Sequence, residues 1–162
     1  MQLSNQVEWA IHCVVMLGHM PDRATVPGMV MAEFHAVPRE YLGKALRKLS
    51  AAGIVVGGVG PKGGYKLAKP AKDITLLDVV EAIEGKERAF QCTEIRQRAP
   101  AAHLVKKFTP ICTIAAAMYE AEEAWKKVLR SHTIAMVIGR VEKVSTPEVQ
   151  AANAEWIMGR IG

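Results

Sequence analysis

The chain has 162 residues, half of them hydrophobic, and a formal net charge of +5. That apolar content suits one folded domain with an appendage and excludes a disordered chain, while the positive balance favours an anionic partner, nucleic acid first. Three cysteines, at 13, 92 and 112, are too few and too scattered for a secreted disulfide framework. Without a leader pattern or an apolar run of membrane-spanning length, the expected location is the cytoplasm, where thiols stay reduced, and no membrane partner is expected.

From Ser4 to Met20 the apolar residues Val7, Ala10, Ile11, Val14 and Leu17 recur at helical spacing. Residues 21–27 read as a turn, and 29–35 as a short helix broken by "AVP". Pro38 then opens a helix whose apolar face is Leu42, Ala45, Leu46 and Leu49, and Gly53 stops it. "IVVGGVGPKGGYKLAKP" has the pattern of a hairpin: a β-rich run, a Gly- and Pro-rich tip and a second short strand. Three helices followed by a hairpin is the order of a winged helix-turn-helix. The expected fold is therefore mainly α with one small β-hairpin, a winged helix-turn-helix domain followed by a long dimerisation helix.

In "DITLLDVVEAIEG" Thr75 is a plausible cap and Gly85 a stop for a helix that buries Leu76, Val79, Val80 and Ile83. Residues 86–109 read as a loop. From Pro110 a helix is expected with an apolar seam of Ile111, Ile114, Ala115, Met118, Ala121, Trp125, Val128 and Leu129. A seam that long is best explained by a second copy, making the chain a homodimer. The expected units are 1–85 for DNA binding, 86–109 as a cluster-binding loop, 110–140 for dimerisation, and 141–162 as a tail with a short helix.

On the Pro38 helix, Arg39, Lys44, Arg47 and Lys48 fall away from the apolar face and suit double-stranded DNA with a palindromic operator. At the hairpin tip, Lys62, Gly63, Gly64 and Tyr65 suit approach to a phosphate backbone. No phosphate loop, nucleophile motif or triad pattern suggests an enzyme. The cysteines at 92 and 112, twenty residues apart, match no zinc spacing. Two buried apolar thiols and half a metal site are both open readings, although Cys112 falls where a helix start favours thiolate. Glu8 and His12, one turn apart in "VEWAIHC", are either a solvated stripe or a pair aimed at one metal.

"MQLS", "VPREYLGKALRKLSAAGIV" with "GPKGGYKLAKP", "ITLLDVVEAIEG" followed by Cys92, and "HTIAMV" together resemble the winged-helix regulators typified by IscR, NsrR and RsrR. The resemblance spans roughly residues 1–140. It implies an iron-sulfur cluster bound by loop cysteines, with a further ligand from the N-terminal helix that can belong to the other subunit. Cys92 and Cys112 match the first and last loop cysteines; the middle one is absent. The resemblance to the RsrR-like branch implies a mixed set of Cys92, Cys112, Glu8 and His12 on a [2Fe-2S] cluster, with His103 in reserve. The implied function is a dimeric, redox-sensing repressor, the alternative being a cluster-free or zinc- or thiol-switch regulator.

Overall fold

The computed structural model describes residues 2–21, 24–58, 63–105 and 111–161. Helix α1 (Asn5–His19) runs through the middle of the molecule and packs on α3, α4 and α6. Burial on several sides explains why Val15 and Met16 are covered along with Val7, Ala10, Cys13, Val14 and Leu17. One strip escapes, and it carries Glu8 and His12.

Helices α2 (Gly28–Phe34) and α3 (Arg39–Ala51) form the helix-turn-helix. The turn closes through Ala36, in the left-handed region at φ 52°, and a bond from Val37 N–H to the Ala32 carbonyl at 3.0 Å. Leu42, Ala45, Leu46 and Leu49 are buried as their spacing predicts. Gly53, at φ +67°, turns the chain out of α3 so that Ile54 N–H bonds the Leu49 carbonyl at 2.9 Å.

The wing is an antiparallel pair, β1 (Val55–Gly57) and β2 (Tyr65–Leu67), with Val56 opposite Lys66. Its tip residues 59–62, and with them Lys62, lie outside the described residues, as does Pro110. Tyr65 also exchanges backbone bonds with Val26 at 2.8 and 2.9 Å, which extends the hairpin onto the segment leading into α2. Gly64 makes that possible: a Cβ there would lie 2.7 Å from the Val26 carbonyl carbon.

Helix α4 (Leu76–Glu84) starts at the expected cap. Thr75 Oγ1 accepts from Asp78 N–H at 3.1 Å, and Asp78 Oδ2 accepts from Thr75 N–H at 2.8 Å, a complete capping box. The connection that follows contains two 3-10 turns, Ile95–Arg98 and Ala102–Leu104.

The region 110–140, which reads as one dimerisation stretch, is two helices, α5 (Thr113–Arg130) and α6 (Ile134–Val144). Thr133 caps α6, and the break is pinned by bonds of 2.8 Å from Leu76 N–H to the His132 carbonyl and from Ile134 N–H to the Ile74 carbonyl. Helix α6 returns onto α1, where a Cβ on Gly18 would strike Ile138. The tail helix is longer than its apolar residues suggest: α7 (Pro147–Ile161) docks on α2, burying Ile157 and setting Trp156 edge-on to Phe34 at 5.4 Å.

The α5 seam divides. Ala115 is buried and Trp125 and Leu129 pack on the core, whereas Ile111, Ile114, Met118 and Val128 stand exposed. Facing α4, the buried Glu122 pairs with Lys126 at 3.0 Å, and Lys126 reaches Glu81 at 3.9 Å.

Candidate functional site

The loop before α5 and the first residue ahead of that helix bring Cys92 and Cys112 together. Their sulfurs and a carboxylate oxygen of Glu94 all lie within 4.8 Å of one another. Glu94 sits in the left-handed region at φ 49°, which folds the loop back so that its N–H donates to Cys92 Sγ at 3.4 Å. The Cys92 thiol in turn donates to Glu94 Oε1 at 3.5 Å. Arg96 closes the network with two bonds to Glu94 Oε2, from Nη2 at 2.7 Å and Nε at 3.1 Å. That guanidinium holds the Glu94 carboxyl below its usual range.

Cys112 occupies the N-cap of α5. Hydrogen bonds from the Ala115 and Ile114 N–H groups lower its thiol pKa, and Arg96 adds to the effect. Cys13 is the opposite case: it is fully buried in the core, and desolvation pushes its thiol up to about 12. It is a packing residue.

Glu8 and His12 project together from the exposed strip of α1. A shallow depression on one side of them is lined by Leu3 and Ile11, and one on the other by Trp9, His35 and Val37. The rings of His12 and His35 are 5.5 Å apart. Burial, and secondarily the charge of His12, push His35 down to about 4, and its buried Nε2 has no partner among the described residues. His35 is thus a neutral wall for the His12 side chain. Within one chain the Glu8/His12 pair and the cysteine pair form no common group: among the described residues the only such cluster is Cys92, Glu94 and Cys112. His103 is not in it and turns Nδ1 to the Pro100 carbonyl at 3.0 Å.

Two converging thiols, one of them favoured as thiolate, fit one iron of an iron-sulfur cluster, and a carboxylate and imidazole one helical turn apart fit another. Sequence reasoning missed Glu94; the available signal was the Cys-x-Glu spacing of residues 92–94.

On the helix-turn-helix, Arg39 opens α3 and is exposed, as are Lys44 and Arg47. Lys44 lies 5.3 Å from the ring centre of Tyr41. Lys48 is already engaged, donating at 2.7 Å to the Ile83 carbonyl near the end of α4, where a cation suits the helix terminus. At the wing, Gly64 is buried against the Val26 backbone and does not present a surface to phosphate. Gly63 and Tyr65 are half-buried. Tyr65 packs its ring beneath Gly57 and Gly28, where a Cβ would come within 3.4 and 3.6 Å of it.

The model of the Rrf2 family, described as iron-dependent transcriptional regulators, matches residues 3–140. The chain belongs to the Rrf2 family. It is 30% identical over 141 residues to YwgB of Bacillus subtilis (strain 168), named as an HTH-type transcriptional regulator, covering 87% of this chain and 86% of YwgB. The fold is similar to that of T. potens IscR (TM-score 0.68, 18% identity, 90% of this chain and 92% of that one). It is also similar to CymR, the global cysteine regulator of B. subtilis (TM-score 0.67, 18% identity, 86% of this chain and 98% of that one). These matches identify a transcriptional regulator with an Rrf2 winged-helix fold. The family segment ends inside α6, so α7 lies beyond it.

Proposed function

We propose that the chain is a dimeric, cytoplasmic DNA-binding repressor that senses redox state through a [2Fe-2S] cluster, in the manner of the RsrR-like branch. Cys92 and Cys112 hold one iron, and Glu8 and His12 of the partner subunit hold the other. The observation that carries this reading is the convergence of Cys92 and Cys112 across twenty residues of sequence, with Cys112 at a helix start. Exposure of Glu8 and His12 on α1 supports ligands that serve a second chain. So does the uncovered face of α5, where Ile114 and Met118, one helical turn apart, and Val128 further along stand exposed. The described residues include no helix long and apolar enough to cross a membrane.

A [2Fe-2S] cluster supplies one-electron chemistry, and imidazole in place of thiolate raises its potential. The chain's own part is mechanical. Cys112 anchors the start of α5, while Glu8 and His12 sit on α1, which packs directly on the reading helix α3. Any change in how tightly Glu8 and His12 are held acts on α1 and so on the separation of two α3 helices over a palindromic site. Arg39, Lys44 and Arg47 are the proposed DNA contacts on α3, with Gly63, Tyr65 and Lys62 at the wing.

The test is anaerobic purification with iron and acid-labile sulfide counted per chain. Two of each, with visible absorption altered in Glu8→Ala and His12→Ala, is the expected result. A colourless protein that retains operator binding overturns the cluster and favours a second reading, a thiol switch. That reading draws on the proximity of the two cysteine sulfurs and on the structural similarity to CymR.

A further inference from the structure

Glu94 has no role in the mixed-ligand cluster, yet it is the residue the fold places with both cysteines. Three features single it out. Its backbone is held in the left-handed region at φ 49°, which side-chain-bearing residues seldom adopt. One carboxylate oxygen is fixed by Arg96, leaving Oε1 turned toward Cys92. And all three candidate ligand atoms come from one chain, within 4.8 Å of one another.

We infer that Cys92, Glu94 and Cys112 form a mononuclear site for a zinc-class divalent cation, filled when the cluster is not. Two sulfurs and one carboxylate oxygen at this spacing match the donors such ions take, with a fourth position left for water; thiolates are poor ligands for calcium or magnesium. The charges balance. Two thiolates and a carboxylate carry three negative charges, and a divalent ion together with the Arg96 guanidinium carries three positive ones. Arg96 acts as the outer partner that orients the ligating carboxylate. Binding displaces one proton from each thiol to solvent and involves no electron transfer.

The consequence is competition within one chain. An ion held by Cys92, Glu94 and Cys112 withholds both cysteines from a cluster, so the regulator would register zinc-class metal as well as redox state. This inference shares the two cysteines with the cluster reading and requires neither Glu8 nor His12, so the two fail separately.

The experiment is titration of the cluster-free full-length chain under argon with Co2+, followed by displacement with Zn2+ against a chromophoric chelator. The expected result is one Co2+ per chain with the intense near-ultraviolet absorption of cobalt–thiolate bonding. Glu94→Gln weakens binding about tenfold or more, by the magnitude typical of metal-site changes. Absence of thiolate absorption, or parental affinity in Glu94→Gln, would overturn the inference. Iron and sulfide content of the anaerobically purified chain reports independently on the cluster.

Discussion

The winged head and the cysteine arm are built to different degrees of completeness in a single chain. In the head, α2, α3 and the hairpin close over Leu42, Leu46, Leu49, Ile54 and Val55, all buried. Lys48 is spent on a helix end, and Tyr65 is paired through its backbone to Val26. The arm, from the loop at 86 through α5, has an inner side that packs on α4 and an outer side with Ile114 68% exposed and Val128 57% exposed. Its two thiols converge without Glu8 or His12 of α1. The head is thus closed by its own residues, whereas the outer face of the arm is left open, and it is there that the proposed second copy would sit.

The contrast can be broken or sharpened by experiment. The largest effect is expected from Ile114→Asp with Met118→Asp. Sedimentation should show the dimer replaced by a monomer, while far-ultraviolet circular dichroism stays close to parental because neither side chain is buried in the chain's own core. A dimer that persists would place the second copy elsewhere. Next in size is Leu46→Ala, in the closed half. Removing a side chain 1% exposed in a packed core should cost about 2–5 kcal/mol, read from the denaturant midpoint.

Thiol chemistry then separates the two regions without altering either. In the folded, metal-free chain, alkylation should label Cys112 fastest, since helix-start N–H groups favour its thiolate, and should leave Cys13, pushed up to about 12, untouched until unfolding. Labelling of Cys13 at the rate of the loop thiols would mean that α1 is not held in the core.

The smallest effect concerns the join between α1 and α4. Glu84 accepts from Ser4 Oγ at 2.6 Å and Ser4 N–H at 2.9 Å, and these bonds lower its pKa. A carboxylate whose folded pKa is depressed adds stability above its ordinary range and loses it as pH falls through the folded value. Because the pair is exposed and screened by solvent, Glu84→Gln should cost no more than about 1 kcal/mol at neutral pH and should flatten the acid limb of the stability profile. An unchanged acid limb would show that the contact carries no linkage.

Much of the head was legible from local pattern. The Leu42/Leu46/Leu49 stripe, the Gly53 stop and the Thr75 cap are short-range rules, and each appears where its residues predict. The wing shows the limit of such reading. "GPKGGY" signals a turn, but nothing local says that Gly64 is needed for contact with the Val26 backbone, thirty-eight residues earlier. Lys48 is similar: its helical position looks solvent-facing until α4 arrives with an unpaired carbonyl.

By itself the sequence determined the helices up to α5, the winged order of the head, the two candidate ligand pairs and, through its motifs, the family. These follow from spacing along the chain, where periodicity and capping act over a few residues. Tertiary structure alone decided which residues share a site. It brought Cys92 to Cys112 and added Glu94, set His35 against His12, and divided the α5 seam into a packed side and an open one. Those outcomes depend on how a loop with weak periodicity closes and on how helices crowd around α1, and both are fixed by long-range packing.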